Sequence, residues 1–215
     1  MVKVLLDIMK EQFQLNEIEV GEYKKLKAKG MNFSISQFYA KGLGNVSVMS
    51  ASGFFGLMKM DTFIVNPVEI DLPLFSYDRI YAMGNDTLIL ELYNTLLGEC
   101  NLGKISSVKN EYVNLPEHDL GTHWYDLIKL EESASKKGKK SHTEQFDKFT
   151  KEYFKAYMNG ANQLPKCNSL EKKKKASVYV EGLLSNGGPS TNVFKKQFGD
   201  EKTGDLFRRI LFGTV

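Results

Sequence analysis

Apolar and polar positions along this chain follow two rhythms, a period of two in the first half and a helical period in the second. Before either is established, Val4, Leu5, Ile8, Met9 and Phe13 recur at helical spacing and predict an amphipathic helix over residues 3 to 14. "MNFSISQFYAKG" and "NVSVMSA" then alternate with period two, which predicts two strands separated by "KGLG". "FFGLMKM" at 54 to 60 runs directly into a hairpin whose first strand covers residues 61 to 66 and whose second runs from Asp71 to Met83, with "NPVE" as the turn. "MGND" is rich in residues that tolerate positive φ and predicts a tight turn into a third strand, Thr87 to Tyr93. Four or five consecutive antiparallel strands therefore form a meander.

Beyond Thr95 the pattern changes to loops and helices. Phe146, Phe149, Tyr153, Phe154 and Tyr157 form an aromatic stripe over residues 143 to 158, the signature of a core-facing helix. A basic helix from about 170 to 184 stops at "SNGGPS". The last helix buries Phe194, Phe198, Leu206, Phe207, Ile210 and Leu211 and breaks at Gly199. Strands first and helices afterwards predict a single α+β domain over residues 1 to 215, a central antiparallel sheet with the N-terminal helix on one face and the C-terminal helices on the other. A groove between sheet and helices suits a flat apolar ligand.

Carboxylates inside the meander bring in chemistry. If the first turn is centred near residues 69 and 70, Asp61 faces Asp78, and if the second is centred on Gly84 and Asn85, Glu91 faces Asp78 too. Opposed strand side chains have Cβ atoms roughly 5 Å apart. Two acids so placed share a proton or need a partner, and one pKa rises. A one-residue slip moves each acid to the other face of the sheet. The alternative is a set of solvated edge charges balanced by Arg79, Lys59 and Lys104.

Composition narrows the class. The chain has 215 residues, 42% hydrophobic and 12% aromatic, enough for one full core. Its charge of +3 is mild, so nucleic acid is not an expected partner. Positive charge is concentrated in "KKGKK" at 136 to 140 and "KKKK" at 172 to 175, runs that read as solvated surface. Cys100 and Cys167 have no metal spacing and fit a reducing compartment. No apolar run approaches the roughly 20 residues of a membrane span. The expectation is a soluble cytoplasmic monomer without a membrane partner. His118 and His123 are five apart and share no helix face, so no metal is expected. Glycine-rich phosphate loops, nucleophile elbows and Cys-Xaa-Xaa-Cys pairs are absent, so the chain has no nucleotide or flavin signature. Any redox chemistry needs electrons from outside.

Two stretches resemble the ferredoxin-dependent bilin reductases. "DLPLFSYDRIYAMG" looks like that family's "DLP(I/M)FG.D.VAG" strand, and "VFKKQFGDEKTGDLFRRILFG" is similar to its "LEKAFGEAWADRYMSQVLFD" tail. The resemblance implies a three-layer α/β/α sandwich that binds a linear tetrapyrrole between the sheet and the C-terminal helices. It implies no bound cofactor, and an external acidic electron carrier, reduced ferredoxin or flavodoxin. The family's sheet aspartate falls on Asp78. Where some members carry a proton-relaying histidine, ten residues before the "DLP" aspartate, this chain has Asp61. Asp78 and Asp61 are thus the candidate catalytic acids, and Glu91, Arg79, Lys59 and Asn186 the candidate substrate-binding residues, with Arg79 and the lysines suited to propionates. Two positions depart from the family. Its "NDKT"-like helix motif is "NGGPST" here, with Gly187 near the expected acid, and its strand glutamate falls near Met49. Those departures keep two other classes open: a non-catalytic tetrapyrrole or haem carrier of the same fold, and an interaction protein that uses its lysine clusters.

Overall fold

The computed structural model describes residues 1–161, 164–188 and 190–215. Pro189, inside the "NGGPST" stretch, lies outside the described residues. The strands are β1 (Leu15–Ile18), β2 (Lys25–Ala28), β3 (Met31–Ala40), β4 (Gly44–Gly53), β5 (Met58–Pro67), β6 (Leu74–Ala82), β7 (Asn85–Tyr93) and β8 (Ala134–Lys139). They form one antiparallel sheet in the order β1-β3-β4-β5-β6-β7-β8, with β2 also paired to β3. The helices are α1 (Val2–Lys10), α2 (Gly103–Glu111), α3 (Thr143–Ala161), α4 (Ser169–Asn186) and α5 (Thr191–Asp205). Gly199 interrupts α5 with φ +82°, and a wide π-helical turn, Leu206–Leu211, follows it. The α+β sandwich expected from the pattern is the observed architecture.

Alternation along the strands divides the core in two. On the first face Phe63, Val65, Phe75, Tyr77, Leu88, Leu90 and Leu92 are fully buried against α1 and the aromatic stripe of α3. Phe154 meets Phe63 edge-on at 5.5 Å and Phe75 at 5.2 Å. Burying a Phe side chain contributes about 1.5–3 kcal/mol, so these rings account for much of the attachment of α3. On the second face Phe33, Ile35, Met49 and Ile64 pack against Val180, Leu183 and Leu184 of α4, Phe194 of α5 and the final turn. Buried amides and a hydroxyl tie that turn to the sheet, where its last carbonyls lack helical partners. Asn45 donates to Leu211 O at 3.0 Å, Ser47 to Leu211 O at 2.7 Å and Asn66 to Phe212 O at 2.6 Å.

Three expectations need correction. The link between β5 and β6 is a wide connection rather than a tight turn near 69 and 70: the Val68 and Glu69 amides donate to Leu43 O, and Ile70 bridges to Lys166. Strand pairing is therefore one residue away from the expected register. Asp61 opposes Arg79, Thr62 opposes Asp78, and Asp61 and Asp78 lie on opposite faces. The β6–β7 turn is the two residues Met83 and Gly84, both at positive φ, which sets Glu91 opposite Ser76 instead of Asp78. That slip of two keeps Glu91 on the face of Asp78. Finally, each lysine run hides one buried member. Lys136 sits in β8, ion-paired to Glu117. Lys172 donates to Asp71 at 2.9 Å and to the carbonyls of Leu72 at 2.6 Å and Thr95 at 2.8 Å, pinning α4 to the loop before β6.

Candidate functional site

Even-numbered residues of β6 point to the second face, and Asp78 is at the middle of that strand. Its row across the sheet reads Met49, Thr62, Asp78, Ile89 and Ser135. Thr62 Oγ1 donates to Asp78 Oδ1 at 2.5 Å, and Ser76 Oγ lies 3.4 Å from Oδ2. Asp78, Met60, Ile80 and Ile89 are only half-buried, so this part of the sheet is left partly open beside the C-terminal helices. Protein nevertheless surrounds the carboxyl closely enough that burial pushes its pKa up to about 6; the Glu91 charge adds to the rise, and the Thr62 and Ser76 hydroxyls oppose it.

Glu91 belongs to the same site. It is buried, and burial raises its pKa against the opposing effects of Tyr93 and Lys129. Tyr93 Oη donates to Glu91 Oε2 at 2.6 Å, while Oε1 has no hydrogen-bond partner among the described residues and lies 3.9 Å from Lys129 Nζ. An aromatic wall stands beside it. Tyr93 stacks on Tyr179 of α4 at 4.3 Å, Tyr125 meets Tyr93 edge-on at 5.9 Å, and His123 stacks on Tyr125 at 4.8 Å. Trp124 Nε1 donates to Gly187 O at 3.0 Å, joining the Trp124–Leu127 turn to the end of α4. Glycine at 182 is required here, since a Cβ on it would come within 2.2 Å of the Trp124 ring.

Buried polar atoms without partners converge on this face: Glu91 Oε1, His123 Nδ1 and Ser135 Oγ. Unpaired buried groups cost about 1–3 kcal/mol each, so together with a half-open cleft they mark a place for a polar ligand edge. The donor set, two acids of raised pKa beside an aromatic wall, suits proton delivery to a flat conjugated molecule.

The other candidates are dispersed. Arg79 faces α3, almost wholly buried, with Nη2 donating to Asp86 Oδ2 at 2.7 Å and lying 3.4 Å from Asp147 Oδ1 in an ion pair, so it is engaged with these acids on the face opposite Asp78. Asp61 accepts from Ser50 at 2.6 Å and, with the exposed Lys59, lines a concavity of about 600 Å³ on the first face, away from Asp78. Asn186 is exposed at the end of α4, next to Gly187. Sequence reasoning missed Tyr93, Tyr125, Tyr179 and the site role of His123. Only the alternation "LELY", which puts Glu91 and Tyr93 on one face, carried any signal. Among the described residues, no group of three or more potential ligands is placed to hold a metal ion, and no helix is long and apolar enough to cross a membrane.

No known protein family matches the sequence, and no curated protein does either. In structure the chain is similar to phytochromobilin synthase from tomato, solved in complex with biliverdin, with a TM-score of 0.79. The match covers 100% of this chain and 83% of that one, at 16% sequence identity.

Proposed function

We propose that the protein binds a linear tetrapyrrole in the cleft between the second face of the sheet and the C-terminal helices, and reduces it with electrons from an external one-electron carrier. Asp78 is the observation that carries this reading: a carboxyl whose pKa is pushed up to about 6, at the floor of a half-open cleft, in a fold shared with a protein solved with biliverdin. Reducing one double bond takes two electrons and two protons. The first electron from the carrier gives a radical anion that Asp78 protonates to a neutral radical; the second gives a closed-shell anion, which takes its proton from Asp78 after the carboxyl has been recharged from solvent. Glu91 and His123, with free polar atoms, are placed to hold pyrrole nitrogens or lactam oxygens. The exposed lysines of α4, Lys174 and Lys175, suit an acidic carrier such as reduced ferredoxin or flavodoxin. The reading fits a soluble cytoplasmic monomer.

A second reading, a tetrapyrrole or haem carrier, is favoured by Gly187, which puts no acid at the end of α4. Titration with biliverdin followed by anaerobic reduced ferredoxin separates the two. A reductase gives a shifted pigment spectrum that then changes under the reductant, and a carrier gives the shift alone. Asp78→Asn should keep binding and slow reduction about a hundredfold. Equal rates in variant and wild type would remove Asp78 from the mechanism.

A further inference from the structure

Apart from the cleft, the least expected surface is one end of the sheet. Pairing places Ala28, Met31, Gly53, Met58, Ala82, Asn85 and Lys139 in a single row across β2 to β8. Everything beyond that row protrudes: the β2–β3 turn with Lys29, the β4–β5 loop with Phe54, Phe55 and Leu57, the β6–β7 turn with Met83, and Lys140 after β8. Phe55 and Met83 are essentially fully exposed, and Leu57 is 74% exposed. Lys29, Phe54, Phe55 and Met83 are also the non-glycine residues with positive φ among those described, at 46°, 51°, 56° and 51°. Such backbone is unfavourable for residues with a Cβ, and glycine would relieve it. Phe54, Phe55 and Met83 thus occupy turn positions that favour glycine while exposing more than half of their apolar surface to water.

We infer that this end is a membrane-surface contact, in which the hairpin tips enter the interface of an anionic phospholipid bilayer. The apolar side chains sit on two hairpin tips, the β4–β5 loop and the β6–β7 turn, and soft lipid admits such tips without a preformed groove. Lysines surround them: Lys27, Lys29, Lys59, Lys139 and Lys140. Of the nearby acids, Asp86 is buried with Arg79, Asp147 is half-exposed beside the same arginine, Asp61 is half-buried and accepts from Ser50, and Glu144 is exposed, against five exposed lysines. Apolar tips within a ring of ammonium groups match the two components of peripheral binding, burial in the headgroup boundary and attraction to anionic lipid. The absence of a spanning helix does not bear on such a contact.

Flotation of the purified full chain with vesicles tests the inference. The protein should float with phosphatidylcholine–phosphatidylserine vesicles and stay behind with phosphatidylcholine alone. Charge reversal at Lys29 or Lys59 should weaken binding roughly fivefold or more. A Phe55→Ser, Leu57→Ser, Met83→Ser triple variant should remain folded by circular dichroism, because these side chains are exposed, and should stay in the aqueous fraction. Phe55→Trp should show blue-shifted emission on anionic vesicles. Three outcomes would overturn the inference: no flotation with either vesicle and no shift at residue 55; flotation unaffected in the triple variant, which would make the lysines sufficient; or a concentration-dependent dimer abolished by the triple variant, which would make a second copy the occupant.

Discussion

The two faces of the sheet use the same strands for different ends. Toward α1 and α3 the side chains of Phe63, Val65, Phe75, Leu88, Leu90 and Leu92 are apolar and sealed, with the Arg79–Asp86 pair buried beside them, and three rings of α3 surround Phe75 at 5.2–6.2 Å. Toward α4 and α5 the corresponding rows carry Thr62, Ser76, Asp78 and Glu91, and the sheet is only half covered. Odd residues of β6 hold the fold together and even residues hold the chemistry. With a side-chain period of two, one face can be optimised for packing while the other keeps polar groups in a cleft. The rigid face supplies the fixed floor on which Asp78 is held.

The largest expected effect tests whether the sealed face dominates stability. Phe75→Ala removes a fully buried ring and should cost about 3–5 kcal/mol in urea unfolding, whereas Ile89→Ala, half-buried beside Asp78, should cost well under half of that. Equal costs would mean that the second face is packed as tightly as the first.

A smaller effect, of opposite sign, comes from Asp78. Its pKa of about 6 in the folded chain lies above the ordinary 3.8, so the folded state binds this proton more tightly than the unfolded chain does. The resulting stabilisation is complete below pH 3.8 and is lost as pH rises through about 6. Glu91, also raised, adds a contribution of the same sign. Asp78→Asn removes the titration, so near pH 7.5 the variant should be more stable than wild type by about 2–3 kcal/mol, and the difference should vanish toward pH 4. Unfolding midpoints across that range measure it, and a pH-independent difference would place Asp78 in open solvent. In turnover, roughly one Asp78 in ten is protonated at pH 7 in the unliganded chain, so reduction should slow as pH rises above 6.

Much of this architecture was legible from periodicity. The meander from β3 to β7, the aromatic stripe of α3, the stop of α4 and the break at Gly199 all follow from apolar spacing and glycine. The edge strand β8 did not, because "ASKKGK" has no apolar alternation: lysines guard an edge against further pairing and make the strand look like a loop. Asp78 and Glu91 could be placed on one face, since a slip of two residues preserves it. The partner of Asp78 could not, because the register across β5 and β6 depends on a connection held by Leu43 and Lys166, far away in sequence. His123, Tyr125 and Tyr179 reach the cleft from a loop and a helix, and local pattern carries no information about that meeting.

Asp61 gives the smallest and sharpest test of the two-face picture. From the sequence it was the natural partner for Asp78, the group that would hold the second carboxyl protonated. In the folded chain it opposes Arg79, accepts a hydrogen bond from Ser50 and faces away from the cleft. Asp61→Asn keeps the shape and the Ser50 contact, and a partly exposed position of this kind changes stability by about 0.5 kcal/mol or less. The pH at which Asp78 titrates should not move, because burial and Glu91 raise it and Asp61 does not. Glu91→Gln, by contrast, removes a like charge on the same face and should shift that midpoint downward. Carbon-13 NMR of the Asp78 carboxyl in both variants reads this directly. A midpoint that falls in the Asp61 variant would return the β5–β6 pairing to the one-residue-shifted register and put Asp61 on the face of Asp78.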